Sequence, residues 1–269
     1  MKKYIFLAMA ALALMACQPK RHELVILHVN DTHSHFEPLR GGEEAGWGGV
    51  IEQAAYVDSV RAAEGEENVL LLHAGDFNQG SSYFTRLGGD LEVATLNAFR
   101  YDAVTLGNHE FDNGIEDLTR RLKTVNCPIV CANYDFSPFE LGEIIRPYVI
   151  LEKAGRKIGI IGMLTDITKV VDRNIADRLP KYEDVETAQK WADHLRNEEV
   201  CDLVIVLSHL GYEEDRDLVE KTRNIDLIVG GHSHTFLEKM EYAANLDGVQ
   251  VPIVQDGCWG LYVGRLEVR

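Results

Sequence analysis

Short apolar runs, each closed by a small polar cluster, recur along this chain with amphipathic stretches between them. Leu24 to Val29 closes on Asn30-Asp31, Val69 to Ala74 on Gly75, Ala103 to Leu106 on Gly107, Asp202 to Leu207 on Ser208-His209, and Ile225 to Val229 on Gly230-Gly231. Val50 to Ala63 carries Ile51, Ala54, Ala55, Val57 and Val60 at helical spacing, and Leu91–Phe99, Ile115–Val125, Val185–Glu198 and Arg216–Thr222 also read as helices. Pro128–Ala132, Tyr148–Leu151, Lys157–Met163, Val251–Gln255 and Tyr262–Val268 read as further strands. Strands made almost wholly of Val, Ile and Leu are covered on both faces, because an exposed face would alternate with polar residues. With helices between them, the class is α/β, helices covering central sheets. The later strands have less helix between them, which predicts a second, partly antiparallel sheet.

Composition narrows this picture at three points. A length of 269 residues suits one large domain or two small ones. No repeat or long linker divides the chain, so one compact domain over 24–269 is expected. A formal net charge of −16 argues against a nucleic acid polymer or an anionic membrane surface as an electrostatic partner. At the amino end, Lys2 and Lys3 precede an apolar segment from Tyr4 to Ala16, which is too short for a permanent membrane span. It ends in Leu14-Met15-Ala16-Cys17, which resembles a bacterial lipobox. That resemblance implies a signal peptide over 1–16, a lipid on Cys17 as the first mature residue, a tether over 17–23, and export to the cell envelope.

Four further cysteines, Cys127, Cys131, Cys201 and Cys258, match no zinc-binding spacing. On an extended run the α-carbons of Cys127 and Cys131 stand roughly 13 Å apart, whereas a disulfide needs less than about 7 Å. All four are expected to be small apolar core residues.

Candidate chemistry collects at the strand ends. Asp31-Thr32-His33, Gly75-Asp76, Gly107-Asn108-His109-Glu110, Ser208-His209 and Gly230-Gly231-His232-Ser233-His234 all follow predicted strands, the edge where ligands gather in open α/β sheets. Aspartate and asparagine are also ordinary turn residues, so any one block alone says little. Together they offer the mixed carboxylate and imidazole donors that zinc, manganese, iron or cobalt accept. An aspartate can bridge two such ions about 3.5–4 Å apart.

These blocks resemble the calcineurin-like metallophosphoesterases, specifically their 5′-nucleotidase branch. The resemblance rests on Asn30-Asp31-Thr32-His33, Ala74-Gly75-Asp76, Thr105 to Asp112, Leu207-Ser208-His209 and Gly230 to His234, with Trp259-Gly260 and Val263-Gly264-Arg265 agreeing nearby. It implies a four-layer sandwich of two central mixed β-sheets flanked by helices. It implies Asp31, His33 and His234 as ligands of one divalent ion, Asn108, His209 and His232 as ligands of a second, and Asp76 as the bridge. His109 is similar to the catalytic histidine that meets the phosphate and protonates the departing alkoxide, and Asp112 to the carboxylate that orients it. Glu110 is expected to support the site from behind and His35 to face solvent or stand at the pocket rim rather than ligate, while His22, His73 and His194 are expected to be structural or surface residues.

The implied activity is hydrolysis of phosphate monoesters, foremost 5′-nucleotides, by a metal-activated water. Alternatives on the same scaffold are a 2′,3′-cyclic nucleotide or nucleotide-sugar phosphodiesterase and a sulfur-oxidation thiohydrolase. Larger members of the branch add a C-terminal domain whose aromatic residues and arginines read the nucleotide. No such domain is expected within 24–269. It is expected on a separate chain or dispensed with, and a lipid-anchored nucleotide-binding subunit is the alternative outside enzymology.

Overall fold

The computed structural model describes residues 23–268, so the leader, its lipobox and Cys17 lie outside the described residues. Two six-stranded sheets form the centre. In the first, β1 (Leu24–Val29), β2 (Val69–His73), β3 (Ala103–Thr105), β4 (Ile129–Val130) and β5 (Ile145–Arg146) run parallel. In the second, β7 (Arg156–Leu164), β8 (Leu203–His209), β9 (Leu227–Val229) and β11 (Gln250–Val254) are parallel. Antiparallel strands edge both sheets: β12 (Gly264–Val268) on β1, β6 (Tyr148–Lys153) on β7, and β10 (Glu241–Ala244) on β11.

The period of two along each strand divides the apolar side chains between two cores. Leu24 and Ile26 of β1, Leu70 and Leu72 of β2, Ile205 and Leu207 of β8, and Leu227 and Val229 of β9 belong to the core between the sheets. Their alternates, Val25, Leu27 and Leu71, pack outward in a cluster with Val57 and Val60 of α1 (Val50–Glu64), Leu96 and Phe99 of the helix Asp90–Phe99, and Leu118 and Leu122 of the helix Gly114–Leu122. On the opposite side Val204, Val206 and Ile228 pack with Ala188 and Ala192 of the helix Asp184–Asp193 and Leu218 and Val219 of the helix Tyr212–Glu220. The order helix, sheet, sheet, helix gives the four layers. Full burial of each Leu or Ile is worth about 1.5–3 kcal/mol. A one-residue slip of any inner strand would turn its whole set to the wrong face, so register is firmly held.

Differences from the sequence pattern have local causes. The expected strand Pro128–Ala132 narrows to β4, because Ala132 leaves the ladder and its N–H reaches Gly162 in the other sheet at 2.8 Å. The helix expected at Arg216–Thr222 begins at Tyr212, where Glu213 and Glu214 complement the positive end of the helix dipole. The helix expected over Val185–Glu198 continues past Asp193 only as a wider turn, His194–Glu198. All four described cysteines are free thiols. Cys131 and Cys201 are buried in the cores, but Cys258 is half-buried beside His234 rather than in a core.

Candidate metal centre

Every ligand candidate sits just beyond, or at the end of, a parallel strand, and the loops are fastened to one another by backbone. Asp31 donates its N–H to Gly75 O at 3.0 Å, His33 to Asp76 O at 3.0 Å, and Ser34 to Phe77 O at 3.1 Å. The β1 and β2 loops therefore run together past the sheet edge. Asp31, His33, Asp76, His232 and His234 all have left-handed backbones, with φ between 47° and 73°. That conformation costs an L-residue roughly 1–2 kcal/mol, and strain of this kind survives where the surroundings enforce it, commonly at functional sites.

Two glycines make the approach possible. A Cβ on Gly107 would stand 2.1 Å from Asp76 Oδ1, and one on Gly75 would stand 2.6 Å from the Gly107 nitrogen. Behind these turns lies Glu110, fully buried. Its Oε1 accepts from the N–H groups of Phe77 and Asn78, and its Oε2 from those of Asp76 and Gly107. Burial and the neighbouring Asp76 charge push its pKa up to about 7. Its four backbone partners are all donors, so the ionised form suits the geometry. Replacing one oxygen by an amide nitrogen in Glu110→Gln turns two of those donors onto a third. With each bond to a charged group worth about 1.5–3 kcal/mol, the variant is expected to lose about 3 kcal/mol or more of stability in a urea titration. A midpoint equal to that of the parent would refute this role.

The side chains converge on two adjoining points. His33 Nε2 and His234 Nε2 are 2.9 Å apart, with His234 Nε2 3.4 Å from Asp31 Oδ1. His209 Nε2 lies 3.1 Å from Asp76 Oδ2, which is also 3.8 Å from His33 Nε2. Asp31, His33 and His234 form one group of donors within 4.8 Å of each other, and Asp76, His209 and His232 a second. A third grouping, His33, Asp76 and His109, reuses two of these residues.

The tautomers suit a cation. His209 Nδ1 donates to Ala74 O at 2.6 Å and His33 Nδ1 to Asn78 O at 3.2 Å, which leaves each Nε2 lone pair pointing at the cluster. Asn108 Oδ1 and His209 Nε2 are buried without a hydrogen-bond partner, as expected of atoms that donate to a metal. This donor set therefore fits divalent cations. Burial opposes protonation of His209, but Asp76 and Asp31 outweigh it and lift its pKa to about 10. His234 rises to about 10 through its bonds to Asp31 and Cys258. Burial lowers the pKa of His33 and His232. Cation binding has to displace protons from His209 and His234, so affinity will weaken as pH is lowered.

His109 lines a cavity of about 650 Å³ together with His33, Asp76, Asn108, His232 and His234, and Asp112 stands behind it. His109 N–H donates to Asp76 Oδ1 at 2.8 Å, and its Nδ1 bonds Asp112 Oδ2 at 2.9 Å, leaving Nε2 free. That bond raises the His109 pKa against the opposing effect of burial. A larger cavity, about 830 Å³, opens near Cys131, Lys181 and Trp191 and contains none of these donors. His35 stands at the rim, stacked on Trp259. His73 is buried, its pKa lowered to about 3 by burial, with its ring against Phe77 and Tyr101. His194 bonds Tyr148, and His22 lies outside the described residues.

Sequence reasoning assigned no role to Asn30 or Asp215. Asn30 Nδ2 donates to Asp31 Oδ2 and to Gly257 O, and its Oδ1 accepts from the Asp256 N–H, tying the first loop to the last. Asp215 is buried and accepts from the Ser208 hydroxyl, one residue before His209. It comes from the next helix, and nothing in its sequence neighbourhood marks it.

A family model described as calcineurin-like phosphoesterase matches residues 24–236. The chain belongs to that family. Among curated relatives of this phosphoesterase domain, a snake venom 5′-nucleotidase from Naja atra is 39% identical over 91% of this chain and 50% of its own length. The 5′-nucleotidase of Bos taurus is 36% identical over 98% of this chain and 49% of its own length. Among solved structures, the 5′-nucleotidase precursor from Thermus thermophilus superposes with a TM-score of 0.85 at 36% identity, over 92% of this chain and 51% of that one. The chain thus spans about half the length of the curated relatives it matches. The two mixed sheets flanked by helices are the architecture of this family.

Proposed function

We propose that this phosphoesterase domain hydrolyses phosphate monoesters, nucleoside 5′-monophosphates foremost, with Asp31, His33 and His234 holding one divalent ion, Asn108, His209 and His232 a second, and Asp76 shared between them. The observation that carries the reading is two adjoining carboxylate–imidazole clusters beside a cavity that His33, Asp76, His232 and His234 line together with His109, itself bonded to Asp112. When bound, the cations supply positive charge to the phosphoryl oxygens and acidity to the attacking water.

The chain's own residues do the remainder. Asp112 holds the Nδ1 proton of His109, so the ring keeps a second proton on Nε2 facing the cavity. As water oxygen bonds to phosphorus and the ester P–O bond breaks, that Nε2 proton goes to the departing alkoxide. The products are inorganic phosphate and an alcohol, and no covalent phospho-enzyme forms. Five of the seven donor residues sit on the left-handed backbones described above, which hold the donors ready without reorganisation.

The identity of the nucleotides as substrates rests on the relatives being 5′-nucleotidases. Export and lipid attachment at Cys17 remain part of the reading and rest on the leader sequence. Among the described residues no helix is long and apolar enough to cross a membrane. A protein starting after Cys17 and loaded with manganese or zinc is expected to release phosphate from nucleoside 5′-monophosphates, and to lose that activity to a chelator. Preference for a 2′,3′-cyclic nucleotide would replace this reading with a phosphodiesterase. Two bound metals and no turnover on any ester would leave only a binding role.

A further inference from the structure

Trp259 is an expensive residue where it stands. The residue is 41% exposed, and its backbone is left-handed at φ 61°. A bulky side chain in that region is strained, and a large exposed aromatic ring forgoes burial. The surroundings nevertheless hold it firmly. Its N–H donates to Asp31 O at 2.7 Å, the backbone of a proposed ligand. Its ring stacks on His35 at 5.4 Å and 28°. His35 is itself pinned, since its Nδ1 donates to the His33 carbonyl at 2.9 Å. Trp259 lines the same cavity as His33, Asn108, His109 and His234. A flat apolar surface is thus mounted rigidly on the backbone of the donor cluster, beside the place where the phosphate is proposed to sit.

Neither metal binding nor proton transfer needs such a ring. Inorganic phosphate or glycerol phosphate gains little from it, whereas a heteroaromatic ring attached to the phosphate gains a stacking partner. Stacking of bases on aromatic side chains tolerates any base, because each presents a π-face. We propose that Trp259, braced by His35, is a specificity-determining residue on which the heteroaromatic ring of the substrate stacks, so that this domain reads the nucleoside class of its ester itself. This rests on the phosphoesterase reading above.

The test compares a nucleoside 5′-monophosphate with glycerol phosphate on the metal-loaded protein, for the parent, Trp259→Asn and Trp259→Phe. Asparagine tolerates the left-handed backbone, so the ring is removed without adding strain. Trp259→Asn is expected to raise KM for the nucleotide about tenfold, or about 1.4 kcal/mol, with kcat kept and glycerol phosphate unaffected, and Trp259→Phe is expected to restore most of the loss. An equal loss on both esters, or no loss on the nucleotide, overturns the proposal.

Should the parent hydrolyse neither ester, the phosphoesterase reading falls and binding decides the matter separately. Saturation-transfer NMR with adenosine 5′-monophosphate and zinc is expected to show base-proton signals that vanish in Trp259→Asn and return in Trp259→Phe. Equal base-proton signals in the parent and Trp259→Asn, or none in the parent, overturn it.

Discussion

Asp76→Asn is expected to lower phosphate release by roughly 10³-fold or more and to leave less than two metals per chain. Loss of a residue that merely supports a metal ligand costs about 10–100-fold, and Asp76 is in a more demanding position. It belongs to two of the three donor groupings, and its Oδ2 faces both His209 and His33. Burial disfavours its charge, but His209, His33 and His109 outweigh that and hold its pKa below the usual carboxylate range. The charge removed is therefore one the surrounding imidazoles were arranged to keep. Asparagine has nearly the same shape and tolerates the left-handed φ of 53°, so the fold is expected to persist. Elemental analysis after dialysis, with circular dichroism and the rate, checks this. Two retained metals and a rate within tenfold of the parent would sink the shared-ligand role.

His109→Ala is expected to reduce kcat by about 10²–10⁴-fold, the range for a general acid, while both metals stay bound. His109 is also near His33 and Asp76, so metal content separates the two roles: loss of an ion from the variant would make His109 a ligand and end its assignment as acid. The pH profile sharpens the distinction. The hydrogen bond to Asp112 raises the His109 pKa, and the acid must be protonated to act. The contribution of the acid is then full below the folded-state pKa and is lost as pH rises through it. Asp112→Asn removes the raising bond, so the falling limb of kcat/KM is expected to move to lower pH. Bound cations oppose protonation in parent and variant alike, which leaves the direction of the difference intact. A limb that stays in place would show that Asp112 does not tune this ring.

Glu110 and Cys258 mark the border of what could be read in advance. Glu110 is three residues from Gly107, and its supporting role was expected from the block it sits in. Its four donors, however, come from two separate loops. Cys258 looked like any small apolar residue, and only the return of the chain beside β1 brings it to His234. The helix at Tyr212–Glu220 carried its signal in the acidic first turn, which apolar spacing alone overlooks.

Taken by itself, the sequence determined the class of fold and the chemical kinds of the site residues. Both follow from local properties: short, near-continuous apolar runs select strands buried on both faces, and the polar blocks at their ends carry metal-donating atoms wherever the strands come to lie. The tertiary structure alone decided which atoms meet. His209 reaches Ala74, 135 residues earlier in the chain, and Asp76 beside it, because two sheets stack with β2 and β8 ending at one edge. It also decided that Trp259, unremarked in the apolar pattern, lines the cavity there, stacked on His35. Backbone strain and ring stacking depend on contacts between distant segments, and no periodicity along one segment encodes them.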